Sequence, residues 1–72
     1  MIGYNDRKYL LGQKTKQGRL AAGLSRRKFA LMLGTAQSYV WRLEKGQINP
    51  TLEAICRIAD ALGLQVRDMF DF

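Results

Sequence analysis

The 72-residue chain has no histidine and a single cysteine. Histidine is the usual general base near neutral pH and a principal zinc ligand, so its absence removes the commonest route to acid–base catalysis and to a zinc site. Cys56 has no evident base to activate it, no pair of carboxylates falls in an acid–base arrangement, and one cysteine with scattered acids cannot assemble a zinc set. The expectation is no enzyme, no metal and no cofactor. A lone cysteine also excludes the disulfide framework on which small secreted domains rely, which points to the cytoplasm. No apolar run approaches the roughly 18 residues of a membrane span, and the opening MIGYNDRKYLLG lacks the apolar core of a signal peptide.

Acids are scarce too. Six Asp plus Glu stand against twelve Lys plus Arg, giving a net charge of +6. A small domain this basic is expected to meet an anion: nucleic acid, an anionic membrane surface or an acidic protein. The membrane reading is weakened because the apolar helix faces are needed for the core. A chain of this length supports one domain around one core.

Apolar residues recur at helical spacing almost throughout, and strand-like alternation never lasts more than a few residues. The pattern predicts an all-α fold of five helices over 13–22, 26–33, 37–45, 52–62 and 66–70, with Gly23, Gly34, Gly46 and Gly63 following the first four. Ser25 suits the cap of the second helix. Thr51, or Asn49 if Pro50 takes the first helical position, suits the cap of the fourth. Leu52, Ile55, Ile58, Ala59 and Leu62 share one face of the fourth helix, and Val66, Met69 and Phe70 one face of the fifth. Thr15 and Gly18 take inward positions in the first helix, so either a neighbour packs closely over Gly18 or this helix is looser. Residues 1–10 are expected to be a mobile arm, the alternative being an extra helical turn capped by Asp6; residues 11–72 form the domain.

The span from Ser25 to Gly46 places two short helices on either side of Gly34-Thr35-Ala36, and helices so joined must cross steeply. Ala30 allows close approach, while Val40 and Leu43 point back toward Phe29, Ala30 and Leu33. Arg19, GLS at Gly23 to Ser25, Phe29-Ala30, Leu33-Gly34, Gln37, Val40, RLEKG at Arg42 to Gly46, Pro50 and IADALGL at Ile58 to Leu64 resemble the Cro and phage-repressor (Xre-type) family of helix-turn-helix DNA-binding domains. The resemblance runs from Leu11 to Phe70. It implies a compact five-helix, lambda-repressor-like domain whose third helix enters the major groove, and a structural ion pair between Arg19 and Glu44. Two departures stand out. Ala36 replaces the usual Ser or Thr before the third helix, and Arg26, Arg27 and Lys28 open the second helix where polar or acidic residues are usual.

At about 100° per residue, Gln37, Ser38, Trp41, Arg42 and Lys45 occupy one side of the third helix, opposite Val40 and Leu43. Trp41, the sole tryptophan, therefore lies in a polar arc. Gln37, Ser38, Trp41 and Arg42 are the candidates for reading bases, with Trp41 offering apolar surface to a thymine methyl or a sugar. Arg26, Arg27, Lys28 and Lys45 are the phosphate candidates, the first three at a helix N-terminus that favours anions. The leading reading is a sequence-specific transcriptional regulator of double-stranded DNA, expected to be a repressor. It should act as a homodimer through the fourth and fifth helices and the tail MFDF, where Met69, Phe70 and Phe72 offer apolar surface. Other readings are an antitoxin with a toxin partner, a restriction-system controller that autoregulates its operon, and a protein-interaction module that uses Trp41 as an anchor.

Overall fold

The computed structural model describes residues 3–72 and consists of α1 (Tyr4–Ala21), α2 (Arg26–Leu33), α3 (Gln37–Glu44), α4 (Leu52–Leu62) and a 3-10 helix (Val66–Phe70), with no strand among the described residues. Two side-chain caps set the frame. Ser25 Oγ accepts from the Lys28 amide at 3.0 Å and Thr51 Oγ1 from the Ala54 amide at 3.1 Å, each satisfying an amide that a helix start leaves without an internal partner. The helices they open end at Gly34 and Gly63, whose φ of 68° and 69° is the left-handed conformation that terminates a helix without a Cβ penalty. Thr51, not Asn49, is the cap of α4.

The first helix departs from expectation. It begins at Tyr4, so residues 4–10 are helical and not an arm; residues 1 and 2 lie outside the described part of the chain. Asp6 Oδ2 accepts from the Gly3 amide at 3.3 Å, and burial of Leu11 and Gly12 anchors the added turns. Gly12 is where α1 meets α3 backbone to backbone. A Cβ there would lie 2.8 Å from the Glu44 carbonyl oxygen and closer still to that of Leu43. Gly46, just beyond α3, is pressed in the same way against Tyr9, whose Cα would be 2.7 Å from an added Cβ. Of the two alternatives at Gly18, close packing is the one found, the neighbours being Leu62 and Leu64.

The core gathers Leu11, Phe29, Ala30, Val40, Leu43, Ile55, Ile58, Ala59 and Met69. Leu52, expected on the inner face of α4, is 69% exposed; it opens the helix, and the N-terminal tilt of its Cβ carries the side chain off the edge of the core. The last segment is a 3-10 helix, with the Asp68 amide donating to the Gln65 carbonyl at 2.9 Å. At three residues per turn Val66 and Met69 share one side and Phe70 rotates away. Met69 is accordingly fully buried, while Phe70 and Phe72 remain 45% and 44% exposed. Met69 thus belongs to the core of the monomer and not to a docking surface.

Candidate nucleic-acid interface

Helix α3 is oriented by what it buries. Val40 and Leu43 are enclosed with Phe29 and Ala30, which turns Gln37, Ser38, Trp41, Arg42 and Lys45 to solvent, all five exposed. Trp41 is 44% exposed, and the Lys45 Nζ lies 5.7 Å from its ring centroid. A cation over an indole face is attracted by the ring quadrupole, so the pair holds the ring on the outer surface. The N-cap of α3 is Ala36, with no side-chain cap hydrogen bond, and the amide of Thr35 before it donates to the Ala30 carbonyl at 3.0 Å, closing α2.

The phosphate candidates divide. Arg27 and Lys28 are exposed at the start of α2, and Lys45 is exposed at the C-cap of α3, one residue past the helix. Arg26 is partly withdrawn and donates from Nε to Glu44 Oε1 at 3.2 Å. Glu44 is the hub of the motif. Its buried carboxylate accepts from Arg19 Nε at 2.7 Å and Arg19 Nη2 at 3.2 Å, while Arg19 Nη1 donates to the Leu24 carbonyl at 2.8 Å. The expected Arg19–Glu44 pair is present, and it is two-pronged. A carboxylate at a helix C-terminus opposes the helix dipole, and the two arginines compensate it. Gln13 Nε2 donates to the Glu44 carbonyl at 3.2 Å, serving one of the carbonyls that the end of α3 leaves open.

The electrostatics are one-sided. From Ser25 to Pro50 the sequence has five cations and one acid, and that acid, Glu44, is sealed inside the arginine pair. Nothing anionic remains on the outer surface of α2 and α3. A helix-turn-helix family model matches residues 16–69, a span that holds the two short helices joined at left-handed Gly34 and the buried Arg19–Glu44 pair.

The chain belongs to the helix-turn-helix family.

Among relatives of this helix-turn-helix domain, the control protein C.BamHI of Bacillus amyloliquefaciens is 36% identical over 69 residues, covering 94% of this chain and 85% of that protein. The restriction-modification controller protein C.AhdI from Aeromonas hydrophila superimposes with a TM-score of 0.80 at 38% identity, over 85% of this chain and 92% of that one. The clp gene regulator ClgR from C. glutamicum reaches a TM-score of 0.85 at 25% identity, over 88% and 81% of the two chains.

Within the helix-turn-helix motif, periodicity was sufficient to find the outward face of α3. It could not find the Arg26–Glu44 contact, because three adjacent cations at a helix start look alike until the end of α3 is placed beside one of them. Gly12 and Gln13 were equally silent, since their partners are backbone atoms of a helix far along the chain. No described helix is long and apolar enough to cross a membrane.

Proposed function

We propose that this DNA-binding transcriptional regulator acts as a repressor by inserting α3 into the major groove, with Gln37, Ser38, Trp41 and Arg42 meeting base edges and Arg27, Lys28 and Lys45 meeting phosphates. The observation that carries the reading is the opposition of two faces on one short helix: Val40 and Leu43 sealed in the core, the indole and its polar neighbours outside. Gln37, in the first turn, is placed to pair bidentately with adenine, and the Trp41 ring to cover a thymine methyl. The test is selection of bound sequences from random duplexes, then titration across salt. Binding should weaken linearly in log–log salt as counterions are released, with a change in Trp41 fluorescence on saturation.

Gln37→Ala should cost about tenfold on the selected duplex and little on an unrelated one. An equal loss on every sequence would make Gln37 a positioning contact and defeat its base-reading role.

A controller of a restriction system, acting on its own operon, is the more specific reading. It is supported by the likeness to C.BamHI and C.AhdI over nearly the full length of both. Specific binding to duplex from upstream of the chain's own gene is the expected result, and indifference to that DNA would reject it.

The same reading includes a homodimer that places two copies of α3 on paired half-sites. Its support is the largely apolar surface beside Tyr4 and Phe72, a groove of about 520 Å³ whose floor is Leu11, Pro50, Ile55, Phe70 and Phe72 and whose rim carries Arg7, Lys8 and Asn49, with Leu52 also exposed on α4. Replacing Phe70 and Phe72 together with Asp should give a monomer in sedimentation and weaken binding to a two-half-site duplex about tenfold, leaving a single half-site unaffected. A double variant that remains dimeric would place the interface elsewhere.

A further inference from the structure

The carboxylate of Glu44 receives more positive charge than it needs. Arg19 is buried, meets both carboxylate oxygens and uses its remaining nitrogen on Leu24. That pair is complete in charge and geometry. Arg26 then adds a second guanidinium to the same Oε1, so two cations share one anion. The addition sits on the first residue of α2, where the helix dipole is itself positive. A cation in that place opposes the dipole, and the one anion that offsets it, Glu44, is shared with Arg19. Arg26 uses Nε for Glu44, and because a guanidinium is planar, its Nη1–Nη2 edge is turned away from the carboxylate. The side chain is 34% exposed, enough for that edge to reach solvent.

We infer that Arg26 is a positioning residue: one guanidinium spans the buried Glu44 and a phosphate of the DNA backbone, and so links backbone docking to the orientation of α3. The inference rests on the proposed seating of α3 in the major groove. Glu44 is the last residue of α3, and Arg19 ties the same carboxylate to α1, so a phosphate held by Arg26 is connected through one carboxylate to the helix that presents Gln37 and Trp41. Arg27 and Lys28, exposed and without such a tie to Glu44, contribute charge without orientation. Lysine could keep the charge of Arg26, but a single ammonium cannot present two separate edges of a rigid plane to carboxylate and phosphate at once.

The experiment compares the full chain with Arg26→Lys and Arg26→Gln, each first shown to be folded by its thermal midpoint. Binding is measured on the selected duplex and on an unrelated duplex over a range of salt. The expected result for Arg26→Lys is an unchanged salt slope, binding to the unrelated duplex within about twofold of wild type, and a loss of about tenfold on the selected duplex. For Arg26→Gln the expected result is weaker binding to both duplexes and a slope lower by about 1. The inference is overturned if Arg26→Lys matches wild type on both duplexes, since Arg26 is then a point charge, or if it loses equally on both. Should wild type itself fail to distinguish the two duplexes, the base-reading role of α3 fails and takes this inference with it. A discriminating wild type with an indifferent Arg26→Lys overturns this inference alone.

Discussion

Glu44→Ala is expected to destabilise the domain by about 3 to 5 kcal/mol, the range for removing one partner of a buried ion pair. The side chain is 2% exposed and Arg19 is nearly as enclosed, so the variant leaves a guanidinium without its counter-charge in a place water reaches poorly. The loss is the cost of that stranded cation more than the net worth of the pair, because desolvation of two charges offsets much of their attraction. Exchanging both Arg19 and Glu44 for apolar residues of similar volume should therefore recover a substantial part of the loss. For a domain of this size, with a total stability of roughly 4 to 11 kcal/mol, the single change consumes a large fraction. Urea denaturation gives the measurement; a midpoint corresponding to less than about 0.5 kcal/mol of change, the ordinary size of a surface substitution, would show that the brace contributes nothing.

Gly12→Ala should cost about 2 kcal/mol even though alanine is the better helix former by about 1 kcal/mol. The added Cβ would meet the carbonyl oxygens of Leu43 and Glu44, and backbone at the end of a packed helix cannot yield as a side chain can. Gly18 provides the control within the same helix. There a Cβ would meet the Cδ1 atoms of Leu62 at 2.9 Å and Leu64 at 3.3 Å, the far ends of rotatable side chains. Gly18→Ala is expected to be close to neutral, with the gain in propensity balancing the repacking. The two variants separate in thermal melts if backbone contact is what makes Gly12 necessary; equal midpoints would refute it.

How far the sequence could be read depended on whether a feature was local. Helices α2 and α4 were bounded correctly because each has a hydroxyl cap at one end and a glycine at the other, signals within a few residues of the boundary they mark. The outward face of α3 followed from the spacing of Val40 and Leu43 alone. The start of α1 did not, because Gly12 interrupts the apolar stripe where the helix would be carried back toward Tyr4, as Gly18 interrupts it further on. Those small residues are there to let α3 and the end of α4 approach, so the tertiary contact that stabilises the helix also conceals it. At Val66 to Phe70 the spacing i, i+3, i+4 fits both a 3.6-residue and a three-residue turn, and only the second sends Phe70 outward. Of the candidate interface, the composition of the face could be read; the tie between Arg26 and Glu44, which distinguishes one cation of three, could not.

Tyr4 and Phe72 line the same groove, and no residue of α3 lines it. The beginning and the end of the described chain therefore leave the domain side by side. A purification tag or reporter fused next to Tyr4 or Phe72 would crowd the place proposed for subunit pairing and spare the surface proposed for reading. Such a fusion could retain half-site binding while losing the avidity of two copies, so a weak result from a tagged preparation would say more about the handle than about the recognition helix.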